Sequence, residues 1–520
     1  MHKANYMKKL LILSSAIILI GLGSCKKQTF SDYYYNPEGA VTANVPSLWA
    51  GLFTSNRVIP KYWNLYTFLI PALGEYSQTI GYTNSNKIYE QPVNYTQDRW
   101  NDYYTKVMAQ YREVEKYYNN LSDADKKGYQ LFLETARIFF YDQTAQMVDM
   151  WGDIPFNDAG QLNATGNIVL AKYDKGKDIY TFILSDLKRI SDYLGTASPD
   201  AFYLSQLKKY DFVNNGSILE WEKYSNSLRL RLALRISYED EASAKNIAQE
   251  ILSNPDKYPL VQSVDENVQI KLTGNLVSTS NDIREGFGIN PFAPGIMVDS
   301  IMVPSGDVRL PVYFTVNKKG EYHGVPNTWN ASRVTDSTTA NYFSRYDSTT
   351  FTQNNHFPGI IFTAAEVSFL KAEAFERWGG GDAKAAYENG IKKSIQYYYY
   401  INSISDWSGA KDPMPSDAAI AAFLANPVIA YGTNQQQNLV KIGTQKWIDF
   451  NVMQAQLAWA EWRRTKFPIL NFPIDASSNL SPNVPTRLLY PSTESILNSV
   501  NYQSVKSTDN VASKVFWDVK

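Results

Sequence analysis

The chain has 520 residues, with 50 basic and 51 acidic ones, a net charge of −1 and a single cysteine. That balance lacks the basic excess of a nucleic-acid-binding protein, and one cysteine excludes an intrachain disulfide or a cysteine-based metal site. Aromatic residues are abundant, at 37 Tyr, 24 Phe and 12 Trp. Most must pack a core, but Tyr and Trp also offer broad apolar faces with polar tips, suited to stacking on sugars or peptides.

Lys8 and Lys9 precede an apolar run, Leu10 to Leu22, interrupted only by Ser14, Ser15 and Gly21. About 13 residues is too short for a bilayer core that needs roughly 20, and it suits a cleaved secretory signal whose n-region reads better from Met7. The run ends in Leu22-Gly23-Ser24-Cys25, which resembles the bacterial lipobox. Residues 1–24 are then removed and Cys25 carries the lipid. Several acyl chains on one residue anchor stably where a single chain is marginal. Cys25 is also the only cysteine in the chain. Residues 25–47 are polar and contain Pro37, Gly39 and Pro46; they read as a tether leading into a single domain over 48–520. No later apolar run is long enough to span a membrane, so the body is expected to be soluble.

From about residue 48 helical spacing dominates. Leu133, Ala136, Phe140 and Met147 share a face, stopped by Gly152 and Pro155; Ile179, Ile183, Leu187, Ile190 and Leu194 form a second stripe. Leu228 to Ile236 (LRLRLALRI) alternates as a strand would. It also works as a helix, with Leu228, Leu232 and Ile236 on one side and Arg231, Arg235 and Glu239 on another. Strong helix formers throughout favour the helix. Ala383, Tyr387, Ile391 and Ile395 form an i, i+4 ladder after Gly379-Gly380-Gly381-Asp382, with Asp382 as N-cap. Ile448, Val452, Ala455, Trp459 and Trp462 form another, ended by Pro468. Stacked helix pairs of this kind suggest diverged helix-turn-helix repeats. Residues 255–360 read as a loop-rich insertion with β-like pieces such as Val312 to Val316. Further irregular stretches lie at about 71–95 and 471–520. Loops of this length are usually functional or disordered.

Catalytic patterns are not evident. His323 and His356 lie in the loop-rich region without metal-binding spacing, there is no GxSxG, and the Gly379–Gly381 turn lacks the GK[ST] of a phosphate loop. A glycosidase would use two carboxylates, but with 51 acidic residues candidates are not informative, and a helix end with a Gly-Asp turn accounts for the cluster of Asp149, Asp153 and Asp158. Neither a cofactor nor a metal is expected.

Seven segments in order carry a resemblance. They are WGDIPFNDA (Trp151–Ala159), YTFILSDL (Tyr180–Leu187), WEKYSNSLRLRLALRIS (Trp221–Ser237), DVRLPVYF (Asp307–Phe314), FTAAEVSFLKAEAFERWG (Phe362–Gly379), YENGIKKSI (Tyr387–Ile395) and QKWIDFNVMQAQLAWAEWRRTKFPIL (Gln445–Leu470). Together, behind a lipobox, they resemble the SusD/RagB nutrient-binding outer-membrane lipoproteins of Bacteroidetes, nearest the SusD-like 2 subgroup. The resemblance implies a mostly α fold: a tetratricopeptide-like helix-pair scaffold with loop excursions and minor β. It implies no enzymatic activity, and a SusC-type TonB-dependent barrel transporter as partner. The ligand would be an oligosaccharide, with an oligopeptide as the alternative and surface glycoside hydrolysis a distant third. Arg463 and Arg464 in the last segment read as structural ion-pair partners. Family ligands are commonly held on loops, which directs attention to 71–95 and 317–357. On chemistry, Glu75, Tyr76, Gln78, Tyr82 and Asn84 are candidates in the first loop. Tyr322, Asn327, Trp329 and Asn330, beside GVPN (Gly324–Asn327), are candidates in the second. Lys26 and Lys27 follow Cys25, with Asp32 the first acid, so an outward-facing position on the outer membrane rests on the resemblance alone.

Overall fold

Helices pair off along the chain. In the computed structural model, residues 44–520 are described except 55–56, 84–86 and 272–280. The signal, Cys25, the tether up to 43 and Asn84 lie outside the described residues. The longer helices used below are α1 (Val45–Leu52), α2 (Ala109–Asn119), α3 (Asp123–Trp151), α4 (Gly176–Leu194) and α5 (Ile218–Arg235). They continue with α6 (Glu241–Leu252), α7 (Ala364–Trp378), α8 (Ala383–Ser403), α9 (Gln435–Phe450) and α10 (Ala455–Thr465). α1 packs on α2 and α3, α4 and α6 on α5, α8 and α9 on α7, and α10 on α9. Residues Val45–Lys520 form one unit. Among the described residues no helix is long and apolar enough to cross a membrane.

Local chemistry explains the boundaries. The Ser122 hydroxyl caps α3 by accepting from the Asp125 amide, and Gly152 ends that helix at φ 82°. Asp382 caps α8 by accepting from the Ala385 amide at 2.9 Å, as its position predicted. Gly379 and Gly380 make the preceding turn with φ of 72° and 89°, a region open to glycine at little cost. Gly390 in α8 lets α7 approach, since a Cβ there would lie 2.6 Å from the Phe369 ring.

The ambiguous segment Leu228–Ile236 lies in α5 up to Arg235, and the reason for its ambiguity is now visible. Leucines and arginines alike are buried there. Arg231 pairs with Glu366 at 2.6 Å and Asp142 at 3.2 Å and lies 3.7 Å over the Phe362 ring. Arg235 pairs with Asp149 at 3.3 Å and with Glu461. A helix buried all round has no polar stripe for a periodicity to reveal. Arg463 and Arg464 are likewise fully buried. Arg463 donates to the carbonyls of Asp149 and Thr486, and Arg464 grips Glu373 and Glu461.

Strand is minor: β1 (Ile154–Pro155) pairs antiparallel with β2 (Tyr173–Asp174), and β3 (Val268–Ile270) with β4 (Gly359–Phe362), Val268 facing Phe362. The β-like piece at Val312–Val316 is corrected. Leu310–Tyr313 is a helical turn, and beyond it Phe314 makes an isolated bridge to Tyr346. The irregular stretch expected from residue 71 also begins later. A wide-turned helix, Leu65–Gly74, runs through Pro71, and helical structure continues to Tyr76. Pro71 lacks an N–H but sits where the turn is already widened.

Candidate ligand-binding site

The two candidate loops meet. After Tyr76 the chain turns at Gln78, whose φ is 51°. The strip that follows is pinned from several directions. Trp447 donates its indole N–H to the Ser77 carbonyl at 2.7 Å, Tyr346 its hydroxyl to the Thr79 carbonyl at 2.5 Å, and Asn290 its amide to the Gly81 carbonyl at 2.7 Å. Gly81 is needed for this approach, because a Cβ would lie 2.9 Å from both the Ala293 carbonyl oxygen and the Val325 Cβ. The Gly81 amide donates to the Phe292 carbonyl, and the second loop is laced to that neighbouring segment. The Val325 amide donates to the Ala293 carbonyl, the Gly295 amide to the Val325 carbonyl, and the Ser344 amide to the His323 carbonyl. Gly324 lies on Gly295, where a Cβ would fall 2.7 Å from the Gly295 Cα.

On this lacework stands an apolar cluster separate from the main core. Val325, Val334 and Phe343 form its buried centre, with Phe292, Trp329 and Tyr342 partly exposed at its edge. The Trp329 and Tyr342 rings lie 6.5 Å apart at 22°, and Trp329 and Phe343 5.6 Å apart. The Arg333 guanidinium lies 3.5 Å over Trp329, and the Lys319 ammonium 5.2 Å from the Tyr342 ring centre. His323 stands edge-on to Tyr342 at 4.7 Å, with Nδ1 3.0 Å from Asp299. Beside this cluster the Asn327 amide donates to Gln78 Oε1 at 3.0 Å and to the Asn471 carbonyl at 2.5 Å, while the Gln78 amide donates to the same carbonyl. The surface offers aromatic faces rimmed by amides and cations. A groove of about 550 Å³ between α8 and Asp417–Ala425 shares no lining residue with it.

The sequence candidates divide. Gln78 and Asn327 are brought together, Gln78 buried beneath the surface with its amide holding Asn327 and the Asn471 carbonyl, and Trp329 stands in the aromatic edge. Tyr322 is half-buried, and burial raises its hydroxyl pKa. Asn330 is exposed, with its side-chain oxygen capping Ala331–Thr339 through the Arg333 amide. Glu75, Tyr76 and Tyr82 lie in the interior: helical structure continues to residue 76 and carries the first two inward, and Tyr82 is buried on the strip beyond the turn. Tyr76 packs on Trp459 at 5.6 Å, and the Tyr82 hydroxyl donates to the Glu75 carbonyl. Burial and the nearby Asp475 push the Glu75 carboxyl well above its ordinary value. Phe292, His323, Arg333, Tyr342, Phe343 and Asn471 were not anticipated. Tyr342 and Phe343 were legible as an adjacent aromatic pair in the chosen loop; Phe292 and Asn471 arrive from distant segments that carry no signal of their own.

These observations define a class: a helix-pair scaffold that holds an open aromatic surface on rigidly laced loops. A family model described as "Starch-binding associating with outer membrane" (SusD-like 2) matches residues 62–491, and the chain belongs to that family. Solved structures share the fold. A chitin-binding protein superimposes with a TM-score of 0.76 at 24% identity, over 92% of this chain and 100% of its own. A Bacteroidetes SusD-like protein gives 0.75 at 22%, over 92% and 100%. A chitin-binding SusD homologue from Flavobacterium johnsoniae gives 0.72 at 23%, over 92% and 99%. No curated protein matches the sequence.

Proposed function

We propose that this chain is a cell-surface lipoprotein that captures oligosaccharides and passes them to a SusC-type TonB-dependent barrel in the outer membrane. The observation that carries this reading is the edge of Trp329 and Tyr342, two flat rings held half-exposed by loops that are hydrogen-bonded along their length. Preorganised aromatic faces bind sugar rings with little ordering cost, and the amide and cationic rim meets hydroxyls. The family's starch-binding description and two chitin-binding structural neighbours support the same ligand class. Capture requires grip and orientation without bond cleavage, so no catalytic residue is assigned. In this reading Cys25 carries the lipid that holds the body at the membrane, and the body faces outward.

The test is titration calorimetry of the purified full-length chain in detergent against chitohexaose, maltoheptaose and a mixed tripeptide–tetrapeptide pool. Saturable glycan binding supports the proposal. Peptide binding with blank glycan titrations would transfer the role to oligopeptides, and glycan shortening during incubation would point to a hydrolase. Co-purification of a barrel protein with the tagged lipoprotein from its own membranes tests the partner.

A further inference from the structure

A second concave site lies on the helical scaffold, and none of its lining residues belongs to the aromatic surface described above. Three helices each contribute one stripe. α2 presents Tyr111, Arg112 and Glu115, α3 presents Arg137, Phe140 and Tyr141, and α4 presents Phe182, Asp186 and Arg189 at i, i+4 and i+7. Phe156 and Asn157 close one end. The cavity is about 370 Å³, at the small end of the roughly 300–1,000 Å³ of small-molecule sites.

Its floor is aromatic: Tyr111 stacks on Phe140 at 4.2 Å, Phe140 on Phe156 at 5.9 Å, and Phe182 closes on Phe156 at 6.0 Å. Phe182 is 49% exposed, although the rest of the apolar stripe on α4 faces inward. Its walls are planar charged groups in balance. Arg112 pairs with Glu115 at 2.9 Å, Arg137 with Glu134 at 3.1 Å, and Arg189 with Glu134 at 2.7 Å and Asp186 at 2.6 Å. The Tyr141 hydroxyl donates to Asp186 at 2.7 Å. The wall carries three guanidiniums and two carboxylates, and Glu134, buried behind it and paired with both Arg137 and Arg189, completes the balance, so the site has no net charge to attract an anion. Fixed forks of donors and acceptors beside an exposed ring suit a neutral molecule with vicinal hydroxyls on one edge and a C–H face on the other.

The geometry points to this cavity as a second binding site for a neutral pyranose ring, remote in sequence from the Trp329 surface. The choice of ligand class rests on the glycan-capture reading. The test titrates the full-length chain with chitohexaose and maltoheptaose, in wild type, Phe182→Ala and Trp329→Ala. Hydrogen exchange of residues 182–189 in the wild type, with and without glycan, gives a readout independent of any variant's folding. Two binding events are expected, one weakened at least tenfold by Phe182→Ala and the other by Trp329→Ala, with protection of 182–189 on glycan addition. A single event lost only in Trp329→Ala, with unchanged exchange at 182–189, would overturn this site and leave the capture reading intact. A single event lost only in Phe182→Ala would keep this site and overturn the Trp329 surface. No binding of either glycan, or peptide binding alone, would overturn both.

Discussion

Replacing Arg464 with methionine probes the buried ion network that joins α5, α7, α9 and α10. The Arg464 guanidinium has no exposed surface and holds Glu373 through two bonds of 2.7 and 2.6 Å and Glu461 through two of 3.1 and 2.7 Å. Lys446 lies 3.6 Å from Glu373 and also contacts Glu461, and Arg235 reaches Glu461. Methionine fills the stem but strips four charge-assisted hydrogen bonds from two buried carboxylates. Removing one partner of a buried pair costs about 3–5 kcal/mol. At about 2 cal/mol/K of unfolding entropy per residue, a unit of this size loses roughly one degree of Tm per kcal/mol. A fall of about 3–5 °C at pH 7 is therefore expected by calorimetry, with Glu373→Gln in the same chain recovering part of it. Glycan affinity measured well below Tm should not change. An unchanged Tm, or lost glycan binding at full stability, would refute the structural assignment of this arginine.

Other expectations follow from single groups. Burial pushes the Asp449 carboxyl up to about 7, while the unfolded chain releases that proton near about 3.9. The folded state therefore holds one more proton between about pH 4 and 7. This contribution to stability falls by up to about 1.4 kcal/mol per pH unit as pH rises through that window, and is flat above it. Urea melts of wild type and Asp449→Asn from pH 5 to 8 should converge on this difference in slope; parallel curves would contradict it. Gly324→Ala should cost about 1–3 kcal/mol through the clash with the Gly295 backbone, and should weaken glycan binding along with loop protection in hydrogen exchange. Asp382→Ala should cost about 1 kcal/mol by removing the α8 cap, with no effect on binding.

Much of the scaffold was legible because helices with one apolar face announce their period. The stripe on α4, the Asp382 cap and the Gly379–Gly380 turn were all readable that way. α5 was readable only with ambiguity, since its arginines are buried against Glu366, Asp142, Asp149 and Glu461, partners contributed by α7, α3 and α10. The wide-turned Leu65–Gly74 was hidden by Pro71, which normally argues against helix. For the candidate site, loop placement directed attention to the segment bearing Trp329 and Asn327 and to the turn at Gln78. It also selected Glu75, Tyr76 and Tyr82 for their chemistry, when only tertiary packing reveals that they point inward. Phe292 joins the site through backbone lacing and Asn471 through side-chain amides that bond its carbonyl, both from segments far apart in the chain, which no local pattern encodes.

In the proposed function the Trp329 edge grips glycan rings. Titration of wild type and Trp329→Ala with chitohexaose and maltoheptaose at matched folded fraction tests it most directly. Saturable binding of at least one glycan is expected, with a loss of at least about tenfold, equivalent to about 1.4 kcal/mol, at the Trp329-dependent site. Equal affinity in the two proteins would contradict it.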